Sequence, residues 1–156
     1  MSLAYLGLGT NLGDRHANLT AAVAALAAAG TVTRTSRRYE TAPVGFGQQP
    51  RFLNQVVELD TTLAPLDLFR TVKQIEQQMG RTGTFRNGPR LIDIDILLYD
   101  DVVLNTPELN IPHPRLTHRA FVLRPLAELI DHVQETPIVE LLKRVHDQDA
   151  VAVAHE

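Results

Sequence analysis

A chain of 156 residues is the size of one domain and can bury roughly two-thirds of its unfolded surface. Its net charge of −3 argues against broad binding to nucleic acid or anionic membranes, and the lack of cysteine excludes disulfides and thiolate metal sites. No apolar run approaches the roughly 20 residues of a membrane span, and the opening MSLAYLGLG lacks the basic stretch of a signal peptide. A cytoplasmic protein is expected.

In chain order, residues 3–10 read as a buried strand. The turn NLGD follows, with Asp14 as helix N-cap. Leu19, Val23 and Leu26 share one face of a helix over 15–29 that Gly30 ends. TVTRTSRRYET, β-branched and polar, predicts one strand over 31–41, APVGFGQQP a loop, and RFLNQVVELDT the next strand. The clearest helix runs from Pro65: Leu68, Val72, Ile75 and Met79 recur at helical spacing, and Gly80 stops it. A Gly- and Arg-rich loop, RTGTFRNGPR, leads into the strand LIDIDILLYD. A short strand DVVLN, a proline-rich loop, helices over most of 116–146 and a loose tail of about ten residues complete the chain. The order β-α-β-β-α-β with a C-terminal extension is the ferredoxin-like signature. One α+β domain over 1–156 is expected, its antiparallel sheet carrying two helices on one face and the extra helices covering the other.

The chemistry concentrates in a few places. In LIDIDIL, Ile92, Ile94 and Ile96 point one way and Asp93 and Asp95 the other, the carboxylates roughly 6–7 Å apart. Paired carboxylates suit Mg²⁺, which takes one or two of them together with substrate phosphates. Arg86 and Arg90 flank the pair and could grip those phosphates. A solvated strand face is the plainer alternative. GLGTNLG is one residue too long for a dinucleotide fingerprint, and turn chemistry explains it better. Phe52 and Asn54 share a strand face, suited either to a flat heterocycle or to no ligand at all. His113, Arg115, His118, Arg119 and Phe121 crowd one short segment; the donors do not make a zinc set, phosphate binding by His113 and Arg119 fits better than zinc, and a proline-rigid loop with solvated charges is the plainer alternative. The thirteen arginines against two lysines, Lys73 and Lys143, suit bidentate phosphate recognition, although coding bias would give the same count.

GPRLIDIDILLYD and IPHPRLTHRAFVLRPL resemble the two signatures of the 6-hydroxymethyl-7,8-dihydropterin pyrophosphokinase family of folate biosynthesis. AYLGLGTNLGDR, YETAPVGFGQQPRFLN and IEQQMGR fit the same family in its order, from about residue 3 to 146. The resemblance implies transfer of pyrophosphate from ATP to the pterin's hydroxymethyl group, with release of AMP. It implies two Mg²⁺ ions on Asp93 and Asp95, and a pterin pocket of Thr41, Val44, Phe52, Asn54 and Phe121. Arg81, Arg90, His113 and Arg119 would contact ATP phosphates. Lys73, Glu76, Ile96 and Asn110 would lie near the nucleotide, and Arg86 on a mobile catalytic loop. Lys73, Asn87, Glu108 and Pro114 depart from residues that some members carry, which bears on loop closure and nucleotide affinity. A monomer is expected, with ATP and the pterin as its partners and neither nucleic acid nor membrane. Two rivals stand beside this reading. A nucleotidyltransferase would want a Gly-Ser turn about ten residues before its D-x-D, and Gly9-Thr10 lies far upstream of Asp93. A ferredoxin-like RNA-binding module would want aromatics and positive charge on the sheet, where two aspartates would repel phosphate.

Overall fold

The computed structural model describes residues 1–41, 51–80 and 91–153. Strand β1 (Ser2–Thr10) is an inner strand of an antiparallel sheet. Asp14 caps α1 (Arg15–Ala25), its carboxylate accepting from the Ala17 amide at 3.1 Å. The predicted helix over 15–29 finishes as a 3₁₀ turn, Leu26–Ala28.

The predicted strand over 31–41 is two strands, β2 (Thr31–Thr35) and β3 (Arg38–Thr41), both paired with β4 (Phe52–Thr61). Between them Ser36 turns its side chain into the ladder. Its Oγ accepts from the Val56 amide at 3.0 Å, while its own amide donates to the Val56 carbonyl. A hydroxyl standing in for a carbonyl breaks the period without breaking the edge.

Helix α2 (Pro65–Met79) has Pro65 in its first turn and buries Leu68, Val72 and Ile75, as its spacing predicts. β5 (Asp93–Tyr99) pairs with β1, and with a last strand β10 (Val151–Val153) the sheet runs β10-β3-β4-β1-β5, β2 also lying on β4. Without β10 this is the ferredoxin-like order, and the expected α+β class holds.

β6 (Leu104–Asn105) and β7 (Asn110–Ile111) form a small ladder, shorter than the predicted DVVLN strand and partly inside the predicted loop. The expected helices over 116–146 are a 3₁₀ turn (Leu116–His118), α3 (Ala120–Ala127) and α4 (Ile138–Arg144). A hairpin of β8 (His132–Val133) and β9 (Thr136–Pro137) interrupts them.

The tail expected to be loose is partly ordered. β10 (Val151–Val153) pairs antiparallel with β3 and extends the sheet. The alternation in AVAV supplies the strand pattern, too short to stand out in sequence.

One sheet face is closed by α1 and α2. Ala4, Leu6, Leu8, Leu53, Val57, Leu59, Ile94 and Ile96 pack there against Leu19, Leu26, Leu68, Val72 and Ile75. Each fully buried aliphatic side chain contributes about 1.5–3 kcal/mol of transfer free energy. The opposite face meets α3 and α4 through Tyr39, Val56, Leu97, Leu123, Leu126, Ile138 and Leu141. Those helices cover one part of that face, and a cavity of about 480 Å³ occupies another.

Candidate active site

Four walls build the cavity. β5 brings Asp93, Asp95 and Leu97; β4 brings Phe52, Asn54 and Val56 from across the sheet. β1 lies between them, and there the residues are Gly7 and Gly9. The third wall is the segment into α3, with His113, Arg119, Phe121 and Val122. The fourth is Gln148 and Asp149, and Thr41 of β3 closes the corner.

The strand period explains the first two walls. Ile92 and Ile94 are fully buried in the core, whereas Asp93 is exposed and Asp95 half-buried on the cavity face. Leu53 likewise packs in the core while Phe52 and Asn54 face the cavity. The Asn54 amide nitrogen donates to the Thr41 hydroxyl at 3.3 Å, which fixes the side chain.

The glycines of GLGTNLG correct the turn reading. Gly7 and Gly9 are strand residues whose missing side chains leave the cavity floor open between asparagine and aspartates. A Cβ on Gly9 would lie 2.8 Å from Asn54 Oδ1, closer than such atoms approach. Gly13 alone of the three takes a left-handed conformation, φ 60°, in the turn before α1.

His113 is held by its amide, which donates to the Leu97 carbonyl at 3.0 Å. Burial lowers its pKa, and Arg119, Arg115 and Lys73 act in the same direction against the attraction of Asp95. Its Nδ1 accepts from the Arg115 amide at 3.1 Å, so the neutral ring carries its proton on Nε2. The pKa of Arg119 is also lowered, chiefly by burial, then by Arg115, with Asp95 opposing. Its guanidinium lies over the Phe121 ring, 5.3 Å from the centroid.

The predicted ATP set divides. His113 and Arg119 line the cavity; Lys73, Glu76, Ile96 and Asn110 do not. Ile96 packs in the core, and Asn110 pairs with Asn105 in the β6–β7 ladder. Lys73 and Glu76 instead serve the backbone of β5. Glu76, 2% exposed, accepts from the Ile94 amide at 2.6 Å, and Lys73 Nζ donates to the Ile94 carbonyl at 3.2 Å. The two side chains, 3.2 Å apart, satisfy Ile94 much as a further strand would. Val44, Arg81, Arg86 and Arg90 lie outside the described residues.

Sequence reasoning missed Gln55, Val56, Leu97 and Val122, which read as ordinary sheet and helix positions, and Gln148 and Asp149, assigned to the tail. It also missed Gly7 and Gly9 as floor residues, although their alternation within a strand was a usable signal.

Comparison with known proteins decides the family. The family model described as 7,8-dihydro-6-hydroxymethylpterin-pyrophosphokinase (HPPK) matches residues 5–131. The chain belongs to the HPPK family. It is 46% identical over 154 residues to the 2-amino-4-hydroxy-6-hydroxymethyldihydropteridine pyrophosphokinase of Bacillus subtilis, covering 97% of this chain and 90% of that one. It is 42% identical over 128 residues to the folic acid synthesis protein FOL1 of Dictyostelium discoideum, covering 82% of this chain and 20% of that protein. A crystal structure of Plasmodium falciparum HPPK-DHPS with pteroate superposes with a TM-score of 0.72 at 20% identity, over 92% of this chain and 42% of that chain. At that identity the likeness concerns the fold alone. The HPPK chain thus spans a fifth of the slime-mould relative and under half of the Plasmodium chain. The site residues expected from the sequence all fall inside the stretch matched to the HPPK family, and Gln148 and Asp149 fall beyond it.

Proposed function

We propose that this HPPK-family protein transfers pyrophosphate from ATP to the hydroxymethyl group of 6-hydroxymethyl-7,8-dihydropterin and releases AMP. The observation that carries the reading is one cavity lined at once by Phe52, Asn54 and Phe121 and by Asp93, Asp95, His113 and Arg119. The aromatic and amide side chains suit a flat, polar-edged ring, and the charged ones suit phosphate. The names of the relatives support the same reaction.

In this reading Phe52 and Phe121 stack on the pterin, while Asn54, fixed by Thr41, selects its polar edge. Val44 completes the pocket. His113 donates from Nε2 to a phosphate oxygen, and Arg119 offers its fork to the same group. Arg81, Arg86 and Arg90 contact the remaining phosphates. Lys73 and Glu76, against the backbone of β5 at Ile94, lie toward the nucleoside in this reading, as do Ile96 and Asn110. These residues line up the attacking hydroxyl, the β-phosphorus and the departing AMP oxygen, and such positioning is most of what phosphoryl transfer asks of a protein.

Asp93 and Asp95 fit a metal. Two carboxylates on one strand face of the cavity suit Mg²⁺ that completes its shell with water and substrate phosphate. When bound, two such ions supply charge neutralisation at the phosphates and lower the pKa of the attacking hydroxyl. We place the protein in the cytoplasm as a monomer that binds neither nucleic acid nor membrane. The net charge of −3 argues against broad binding to nucleic acid or anionic membranes, and no described helix is long and apolar enough to cross a membrane.

Incubation with ATP, Mg²⁺ and the hydroxymethyl-dihydropterin, with nucleotides separated by chromatography, tests the reading. AMP in step with pterin consumption is expected. Release of inorganic pyrophosphate in place of AMP would assign a nucleotidyl transfer.

A further inference from the structure

Arg119 and Phe121 face the cavity from the segment that leads into α3. The 3₁₀ turn Leu116–His118 ends there, Arg119 is extended at φ −129° and ψ 112°, and α3 starts at Ala120 without a side-chain cap from Arg119. The first amides of a helix are donors without an intrahelical acceptor. Gln148, nearly thirty residues later, supplies one. Its Oε1 accepts from the Ala120 amide at 2.9 Å, and its Nε2 donates to the His118 carbonyl at 2.9 Å. Those two groups belong to the peptide planes on either side of Arg119. One planar side-chain amide therefore fixes both planes and, with them, the direction of the Arg119 side chain and the start of α3 that carries Phe121.

The clamp is itself anchored on two sides. The Gln148 amide donates to the Val145 carbonyl at 2.9 Å, and Arg124 of α3 donates to the carbonyls of Gln148 (3.4 Å) and Ala150. Next in the chain, β10 pairs with β3, the strand that ends at Thr41. The C-terminal segment thus ties the α3 wall of the cavity to the sheet wall. We propose that Gln148, which lies beyond the residues matched to the HPPK family model, is a positioning residue for Arg119 and Phe121. The inference rests on the function proposed above and assigns part of its geometry to the C-terminal segment.

Gln148 is exposed, so its truncation opens no buried void and leaves folding intact. Its effect belongs in the kinetics, because a displacement of about 1 Å can cost about a hundredfold in rate. Three variants test this in the full chain: Gln148→Ala, Gln148→Glu, which keeps the acceptor toward Ala120 and loses the donor toward His118, and the exposed neighbour Asp147→Ala as control. Gln148→Ala should lower kcat/KM for the pterin at least about tenfold while its melting temperature stays within about 2 °C of the parent. The Ala120 amide should exchange faster with deuterium in the same variant. Gln148→Glu should fall between Gln148→Ala and the parent, and Asp147→Ala should match the parent. Parental kinetics in Gln148→Ala, an equal loss in Asp147→Ala, or a loss in proportion to a fallen melting temperature would each overturn the inference. If the parent protein itself releases no AMP, the proposed function fails. The clamp is then decided by Ala120 exchange alone, and indifference of that amide to Gln148→Ala overturns it.

Discussion

Gly9 decides where Asn54 can stand. With a Cβ only 2.8 Å from Asn54 Oδ1, alanine at this position forces the amide away from its bond to Thr41. Gly9→Ala should therefore weaken pterin binding by about 1–3 kcal/mol, the scale of a polar group left unpaired, and leave Mg-ATP affinity nearly unchanged. Calorimetry with each ligand separately checks this, and a loss confined to ATP would show that Asn54 does not face the pterin. Asp93→Ala and Asp95→Ala should remove Mg²⁺-dependent turnover, roughly a hundredfold or more in rate, with the melting curve preserved because neither side chain is in the core. Near-parental activity in both would refute the metal assignment. At this scale much was legible. Strand alternation alone separates Asp93 and Asp95 from Ile92, Ile94 and Ile96, and Phe52 and Asn54 from Leu53. Gly9 was not, because its reason is a side chain on the neighbouring strand more than forty positions away.

The outer side of β5 shows what an element needs beyond its own pattern. The sequence presents Glu76 as one polar residue on an amphipathic helix, yet it is 2% exposed and caps the Ile94 amide. Glu76→Ala leaves that amide buried without its acceptor, at a cost of about 1–3 kcal/mol. In a domain of this size that lowers the melting temperature by about 2–4 °C per kcal/mol. Lys73→Ala, which removes a half-buried donor, should cost less. A Glu76→Ala protein as stable as the parent would mean that Ile94 finds another partner. The helices with strong periodicity and flanking Pro or Gly, above all α2, were readable because their signals are local. The split at Ser36, the β8–β9 hairpin and β10 were not. Each depends on a partner segment, Val56 for Ser36 and β3 for β10, and short strands carry too few residues for a pattern to rise above its surroundings.

Across the whole molecule the two sheet faces do different work, and the second is fastened by charge as well as by packing. Beside the aliphatic contacts of α3 and α4, Glu58 of β4 accepts from Tyr5 at 2.6 Å, from Thr33 at 2.7 Å and from Arg34 at 2.9 Å. Arg34 reaches on to the Leu129 carbonyl at 2.6 Å, just past α3. A parallel set joins Glu128 to Tyr39 and Arg37. The Arg34 hydrogen bond does most to hold the Glu58 carboxyl down to about 2, with Tyr5 and Thr33 helping against burial. A carboxyl depressed in the folded state adds stability above its unfolded pKa, near 4.5, and loses it as pH falls toward 2. The Glu128 carboxyl, also lowered, acts in the same direction. On the alkaline side burial and Glu58 push the Tyr5 hydroxyl up to about 12, so its contribution is complete below the ordinary tyrosine range near 10 and is lost as pH rises toward 12. Glu58→Gln keeps the shape and the acceptor oxygen and removes the charge. Its melting temperature should lie below that of the parent from pH 5 to 8, and the gap should narrow steadily between pH 4.5 and 2 as the parental carboxylate takes up its proton. Melting curves recorded at half-unit pH steps for both proteins decide the matter: a gap that stays constant down to pH 2 would show that the charge of Glu58 contributes nothing to the closure of this face.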